Sequence, residues 1–127
     1  MSTTISKIED LNSDAKVCRY MGNPYRAALI YARIAKMCRE HQMFDDMVVA
    51  VQIATDCLID AGMIEEASEG LRTIPMVMVN DSQPLEAIRL SNYMTQTETN
   101  MGSSNCLGSR RYIEFVWKKC KEKKLLM

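Results

Sequence analysis

Glycine recurs at positions 22, 62 and 102, so that forty residues separate each occurrence from the next. Around the first two glycines the similarity extends along the chain, because Ala27 follows Gly22 at the same distance as Ala67 follows Gly62. Gly102 is followed by Ser-Ser-Asn-Cys-Leu-Gly, a composition typical of a loop. Self-similarity at a period of about 20 to 50 residues is the signature of tandem supersecondary units. The chain is therefore expected to contain two well-matched units and one degenerate unit.

Apolar residues within the units follow the spacing of an α-helix. Between 44 and 61 they recur at i, i+3, i+4 and i+7, so they share one helix face. These positions are Phe44, Met47, Val48, Val51, Ala54, Leu58 and Ala61. The segments Asn23-Pro24 and Asp81-Ser82-Gln83-Pro84 are typical of helix starts, in which an N-cap precedes a first-turn proline. The pattern predicts helices over roughly 5–21, 25–41, 44–61, 64–73, 84–100 and 109–125.

Turns of two or three residues between such helices force sequential neighbours to pack antiparallel. The predicted fold is therefore all-α, either a short α-solenoid or a bundle of antiparallel helical hairpins, with five or six helices. The hairpins are expected at approximately 5–41, 44–73 and 84–125, within a single domain over 1–127. Five glycines and three prolines in the whole chain favour helices over a β-sandwich or barrel.

The segment CLIDAGMIEEASEGLRTIP (57–75) resembles the second half of a tetratricopeptide-type repeat, and GNPYRAALIYARIA (22–35) is a looser match. The repeat period of this chain, forty residues, exceeds the usual tetratricopeptide period of about 34 and is similar to that of family members with longer helices. The positions of the family's clamp for peptide C-termini carry Asn12 and Lys16 in one copy but Gln52 and Asp56 in the next, so that clamp is not expected. The resemblance implies a binding scaffold, which contacts its partner through the groove between the first helices of the hairpins.

Composition excludes several functional classes. Sixteen basic and sixteen acidic residues cancel, and the longest apolar run, 27–32, is far shorter than the roughly 20 residues that span a bilayer. The first residues, MSTTISKIEDLNSD, contain no apolar segment typical of a secretory signal. Five cysteines without CxxC spacing and a single histidine favour free thiols in a reducing compartment. A cytoplasmic protein is expected, with the nucleus as the alternative.

Charge is segregated along the chain although it is balanced overall. Residues 15–41 contain six bases and one acid, whereas residues 42–71 contain seven acids and no base. Arg26, Arg33 and Lys36 lie near one face of the predicted second helix and are candidate partner-binding residues. Two interpretations remain open: neighbouring hairpins attract each other, or one block meets a partner of opposite charge.

The C-terminal segment 109–127 contains seven bases and two acids. Arg110, Arg111, Lys118 and Lys119 are further candidate contact residues, while Ile113, Val116, Trp117 and Cys120 form an apolar stripe suited to capping the core. The alternative function is a small helical protein, of viral origin in one version, that binds nucleic acid or an anionic membrane through this helix.

The segment Pro75-Met76-Val77-Met78-Val79 is expected to be irregular and to join two helices. It is either a link packed over the ends of the hairpins or an exposed apolar segment that a partner or second copy covers. In the second interpretation Met76, Val77, Met78 and Val79 bind the partner.

No residue pattern indicates catalysis. Cys38 and His41 are three positions apart on a helix, but no glycine-rich turn or oxyanion donor adjoins them. The adjacent acids Asp45-Asp46 and Glu65-Glu66 point about 100° apart on a helix and so do not converge on one atom. We expect no enzyme activity, cofactor, metal site or small-molecule substrate. The predicted function is a non-enzymatic protein-interaction module, an adaptor or subunit of a larger assembly, with a protein partner or homo-oligomer.

Overall fold

The computed structural model describes residues 2–100 together with Lys118, Lys121 and Glu122. The described part is all-α, as the sequence predicts, and contains no strand. Its five helices are α1 (Ser2–Tyr20), α2 (Pro24–Glu40), α3 (Phe44–Asp60), α4 (Ile64–Asn80) and α5 (Pro84–Asn100). The predicted bounds of α2, α3 and α5 agree with these to within one residue, and α1 begins three residues earlier than predicted.

Each pair of successive described helices is joined by a three-residue turn with the same hydrogen bonds. In the first turn the Gly22 N–H donates to the Arg19 carbonyl at 3.1 Å, and the Asn23 N–H donates to the Cys18 carbonyl at 2.8 Å. This is the Schellman arrangement, which satisfies carbonyls that the helix end leaves without partners. In the next three turns the second bond is accepted by the carbonyls of Cys38, Leu58 and Met78, at 2.7, 2.8 and 2.8 Å.

The second residue of each of these turns has a positive φ. Gly22 and Gly62 have φ of 80° and 79°, and Gln42 and Ser82 adopt the same region at 58° and 62°. The turn therefore recurs every twenty residues. The sequence reveals only the forty-residue interval because glycine fills alternate turns.

The residue that ends each turn is also the N-cap residue, immediately before the first residue of the next helix. The Asn23 side-chain oxygen accepts a hydrogen bond from the Arg26 N–H at 3.3 Å, and Pro24 occupies the first helical turn. This confirms the predicted helix start at Asn23-Pro24. The equivalent residue of α3, Met43, makes no side-chain cap bond, and the acids Asp45 and Asp46 lie in the first turn, where the helix dipole favours negative charge.

Packing divides the chain into two units, residues 1–67 and residues 68–127. In the first unit α2 packs against both α1 and α3. Because each turn reverses the chain, α2 is antiparallel to both neighbours, and α1 and α3 run in the same direction. The small side chains of Ala15, Ala27 and Ala28 are buried here and allow close approach of the helices.

Among the described residues of the second unit, buried side chains lie at the end of α4 and in α5, and include Pro75, Met78, Val79, Ala87 and Leu90. The prediction that helix 64–73 ends before an irregular link is wrong, because α4 continues through Pro75 to Asn80. Pro75, Met78 and Val79 lie at i, i+3 and i+4 on one buried stripe, and a methionine or valine side chain contributes about 1.5–3 kcal/mol when fully buried. This burial offsets the roughly 3 kcal/mol that a proline costs inside a helix.

The predicted helix 109–125 and the third copy at Gly102 lie outside the described residues, apart from Lys118, Lys121 and Glu122, which are helical. The single domain over 1–127 stays a prediction. Among the described helices, none has the length and apolar content needed to cross a bilayer.

Candidate partner-binding groove

A surface groove lies between α1 and α3, with α2 beneath it. We call it the α1–α3 groove. Its volume is about 370 Å³. It is lined by Ile5, Ile8, Glu9 and Asn12 of α1, by Tyr31, Ile34 and Cys38 of α2, by Met43 of the turn, and by Asp46, Val49, Ala50 and Ile53 of α3. All of these residues belong to the first unit.

Most of the lining is apolar, and part of it is exposed to solvent. Ile5 on α1 and Val49 on α3 expose 49% and 52% of their surface. A ligand that covers such side chains gains about 25 cal/mol for each Å² of apolar surface removed from water. An apolar wall with a few convergent polar groups is the usual composition of a binding site.

The two charged side chains among the described lining residues are both carboxylates, Glu9 on α1 and Asp46 on α3. Neither forms an ion pair within the described part of the chain. Asn12 adds an amide that can both donate and accept hydrogen bonds. The groove therefore combines apolar surface with negative charge, which is the opposite of what a peptide C-terminal carboxylate requires.

An ion pair joins the far ends of the two walls. The Arg19 Nη2 of α1 lies 3.4 Å from the Asp60 Oδ2 of α3. Because α1 and α3 run in the same direction, this pair lies at the opposite end from Ile5 and Asp46. Both side chains are substantially exposed, so the pair contributes at most about 1 kcal/mol.

The ionisable groups on the floor of the groove are held neutral. Burial raises the pKa of the Cys38 thiol, and the negative charge of Asp46 raises it further. Burial also raises the pKa of Tyr31, and the nearby Cys57 adds to this while Arg19 opposes it. An activated cysteine nucleophile needs a lowered pKa, so the Cys38 environment has the opposite effect. His41 is exposed at the end of α2.

The described residues contain no group of three or more histidine, cysteine, aspartate or glutamate side chains arranged to hold a metal ion. The closest that the groove comes to such a metal-binding group is its two carboxylates, which lie on facing walls. Their chemistry suits a cationic group on a ligand.

The predicted contact residues Arg26, Arg33 and Lys36 are all exposed on α2. Together with Leu29 they span an arc of about 80°, and the groove-lining residues of α2 lie on roughly the opposite side of that helix. We call Arg26, Leu29, Arg33 and Lys36 the basic face of α2. Within the described residues none of its three cations forms an ion pair. The partner-binding role of these cations stays a prediction.

The predicted contact segment 76–79 is a turn of α4, not an exposed link. Met78 and Val79 are fully buried and Val77 is half-buried, so the interpretation as an exposed apolar segment is wrong for Met78 and Val79. Met76 lies in the same helix, and its side chain is outside the described part. Met78 and Val79 are buried because helical spacing turns these positions toward the core once the helix continues past Pro75.

The remaining predicted contact residues belong to the C-terminal segment. Lys118 is helical, and its side chain is exposed. Arg110, Arg111 and Lys119 lie outside the described residues.

Sequence reasoning placed partner contact in a groove between first helices, but it did not identify the residues of the groove. The missed side chains that matter most are Ile5, Glu9, Asp46 and Val49. The sequence signal that could have identified them is helical periodicity. Val49 falls outside the apolar stripe of α3 and is therefore an apolar residue expected at the surface. On α1, Ile5, Ile8 and Asn12 recur at three- and four-residue spacing and so share one face.

No protein-family model matches this chain, and neither a curated protein sequence nor a solved structure does.

Proposed function

We propose that this protein is a non-enzymatic interaction module, an adaptor or subunit of a larger assembly, and that the α1–α3 groove holds a segment of a protein partner. The observation that carries the proposal is the lining of the groove, in which half-exposed Ile5 and Val49 lie beside the carboxylates of Glu9 and Asp46, which form no ion pair among the described residues. Exposed apolar side chains in a concave site, with a few polar groups beside them, are typical of surfaces that recognise peptides.

Two further observations support this function. α1 and α3 are the first helices of the two hairpins predicted from the tetratricopeptide-like segments, and the groove lies between them. The thiol on its floor has a raised pKa, which favours a packing role for Cys38 over a chemical one.

A protein segment of either of two forms suits these walls. An extended segment would place alternate apolar side chains between Ile8 and Ile53, with Asn12 free to bond its backbone. A helical segment would present apolar residues at i, i+3, i+4 and i+7. In both forms the apolar contacts supply affinity, and Glu9 and Asp46 select segments that carry positive charge.

Selection of peptides from a display library on the purified protein tests the proposal. We expect selected peptides to lose at least about tenfold in affinity on the Val49→Arg variant, because a long cationic side chain fills the groove and pairs with its carboxylates; tenfold corresponds to about 1.4 kcal/mol. Fluorescence anisotropy of labelled peptides gives the dissociation constants.

Leu85→Arg is the matched control, since Leu85 is also an exposed apolar residue on a helix, α5, and lies in the other unit. Both variants should keep the helical circular dichroism of the parent protein. Peptides whose affinity is unchanged by Val49→Arg, or falls equally with Leu85→Arg, would contradict a binding role for the groove.

A further inference from the structure

We infer that one occupant of the α1–α3 groove is a second copy of this chain, which docks through the basic face of its α2. The inference rests on the proposed function of the groove and adds the identity of a partner. It is carried by two sets of charges of opposite sign on separate surfaces of one unit, none of which forms an ion pair with another described residue.

The basic face of α2 has the composition of an interaction surface. Leu29 exposes 54% of its surface and lies between Arg26 and Arg33. Tyr25, also partly exposed, adds aromatic surface beside them. An apolar residue flanked by cations matches a groove in which apolar residues are flanked by carboxylates.

The two surfaces cannot neutralise each other within one molecule. Tyr31, Ile34 and Cys38 face the groove, whereas Arg26 and Arg33 lie on roughly the opposite side of the same helix. The charges can therefore meet only between molecules. At zero net charge no overall repulsion keeps two copies apart.

The dimensions of the two surfaces are similar. From Arg26 to Lys36 the basic face extends about 15 Å along α2, at about 1.5 Å per residue. The lining extends about 10 Å along each wall, from Ile5 to Asn12 and from Asp46 to Ile53. Leu29 would contact the apolar wall, and the arginines on either side of it would approach Glu9 and Asp46. This is the helix-in-groove mode of recognition.

Contact between two different surfaces is head-to-tail, so a dimer leaves one groove and one basic face unoccupied. Association should therefore continue beyond a dimer as concentration rises. Because the charges lie at the solvent-exposed edge of the contact, salt should weaken it, with a screening length of about 10 Å at about 0.1 M and about 3 Å at about 1 M.

Sedimentation equilibrium of the full chain tests this inference with two charge-reversal variants. The groove variant is Glu9→Lys with Asp46→Lys, and the face variant is Arg26→Glu with Arg33→Glu and Lys36→Glu. The matched control is Asp10→Lys with Asp14→Lys, which reverses the same number of exposed acids on α1 outside the groove lining. Circular dichroism checks that each variant is folded, and Glu9→Gln with Asp46→Asn replaces the groove variant if lysine unfolds the protein.

At low salt we expect the mass of the parent protein to rise with concentration above the 14.5 kDa of a single chain. The association constant should fall at least about tenfold between about 20 mM and about 300 mM salt. Each charge-reversal variant alone should lose at least about tenfold in association, the control should not, and a mixture of the groove and face variants should regain it, since each then offers the other an intact surface.

A parent protein that stays monomeric at low salt, an association that both variants leave unchanged, or a mixture that fails to regain it would overturn the inference. The proposed function fails separately, because selected peptides and Val49→Arg test the groove without any second copy. Peptides sensitive to Val49→Arg together with a strictly monomeric chain would keep the groove as a binding site and remove the second copy as its occupant.

Discussion

Helices α2 and α4 begin forty residues apart, and each has 17 residues. Each follows a turn with glycine at positive φ and ends in a turn where another residue adopts that conformation, Gln42 after α2 and Ser82 after α4. Their interiors differ, because α4 has Pro75 at the position where α2 has Ala35. Two helices of equal length with such different interiors teach that the turns and the buried positions, more than interior propensity, determine where a helix ends.

Buried residues near the end of each helix support this conclusion. Cys38 and Met78 occupy equivalent positions, both are fully buried, and the backbone carbonyl of each accepts a bond from the following turn. A helix that stopped at Thr73, before Pro75, would leave Met78 and Val79 without their buried positions. The apolar stripe therefore extends α4 past its proline to the same turn that ends α2.

Exchanging the interiors of the two helices is the severest test of the comparison. We expect Ala35→Pro to lower the free energy of unfolding by at least about 3 kcal/mol, because proline removes the backbone bond to the Tyr31 carbonyl and clashes with the preceding turn. α2 also packs on both α1 and α3, so a kink would disturb two contacts. Urea unfolding followed by circular dichroism measures the change.

Pro75→Ala is the reciprocal substitution. Alanine restores a backbone donor worth about 3 kcal/mol of helix propensity and loses two buried methylenes worth about 1.6 kcal/mol, so we expect a net gain of about 1.4 kcal/mol. A large loss of stability would mean that the buried ring of Pro75, and not the apolar stripe as a whole, holds the end of α4 in place.

The all-α fold and most helix bounds could be predicted from the sequence, since apolar periodicity and the Asn23-Pro24 start are local signals. The end of α4 could not, because the local signal of Pro75 opposes helix and the burial that outweighs it comes from tertiary packing. The recurrence of the turn every twenty residues could not be predicted for a related reason: Gln42 and Ser82 adopt a positive φ that their residue types do not indicate.

The candidate site was predictable in outline only. Exposed cations at Arg26, Arg33 and Lys36 follow from helical spacing, and a groove between first helices is what the tetratricopeptide-like resemblance implies. Which side chains line that groove depends on how α1 and α3 are placed on α2, and the positions of Glu9 and Asp46 on facing walls have no local sequence signal. For the same reason the sequence leaves open whether Met78 and Val79, three and four residues after Pro75, are packed or exposed, and the structure buries both.

The turns on either side of α2 provide a smaller test. Gly22→Ala should lower the free energy of unfolding by about 1 kcal/mol, because alanine is strained at a φ of 80° even though no atom lies within 4 Å of the added Cβ. Gln42→Gly should raise it by up to about 1 kcal/mol by relieving the same strain. Thermal and urea unfolding measure both changes.

Gly70→Ala is the control, since Gly70 lies inside α4 without a positive φ and has equal room for a Cβ. Alanine there should stabilise the protein by about 1 kcal/mol through helix propensity. Equal effects at Gly22 and Gly70 would mean that the turn conformation places no special demand on residue type.

The smallest expected effect is a difference between α2 and α4 in how the free energy of unfolding depends on pH. Burial raises the pKa of the Cys38 thiol, so the folded chain keeps a proton that the unfolded chain releases above its ordinary pKa. Stability from this group is therefore complete well below the ordinary thiol pKa of about 8.5 and declines as the pH rises through that value, by up to about 0.8 kcal/mol in total by pH 9. Cys38→Ala should reduce this decline, leaving the similar contribution of Cys57, whose pKa burial also raises.

Met78, at the equivalent position of α4, has no group that titrates in this range and so contributes nothing to the decline. Met78→Cys would introduce a buried thiol there and should make the decline steeper. Since the comparison concerns how stability changes between pH 7 and pH 9 and not its absolute value, the cavity left by a smaller side chain does not obscure it. An unchanged slope in Met78→Cys would mean that the ends of α2 and α4, although alike in backbone, are not alike in burial.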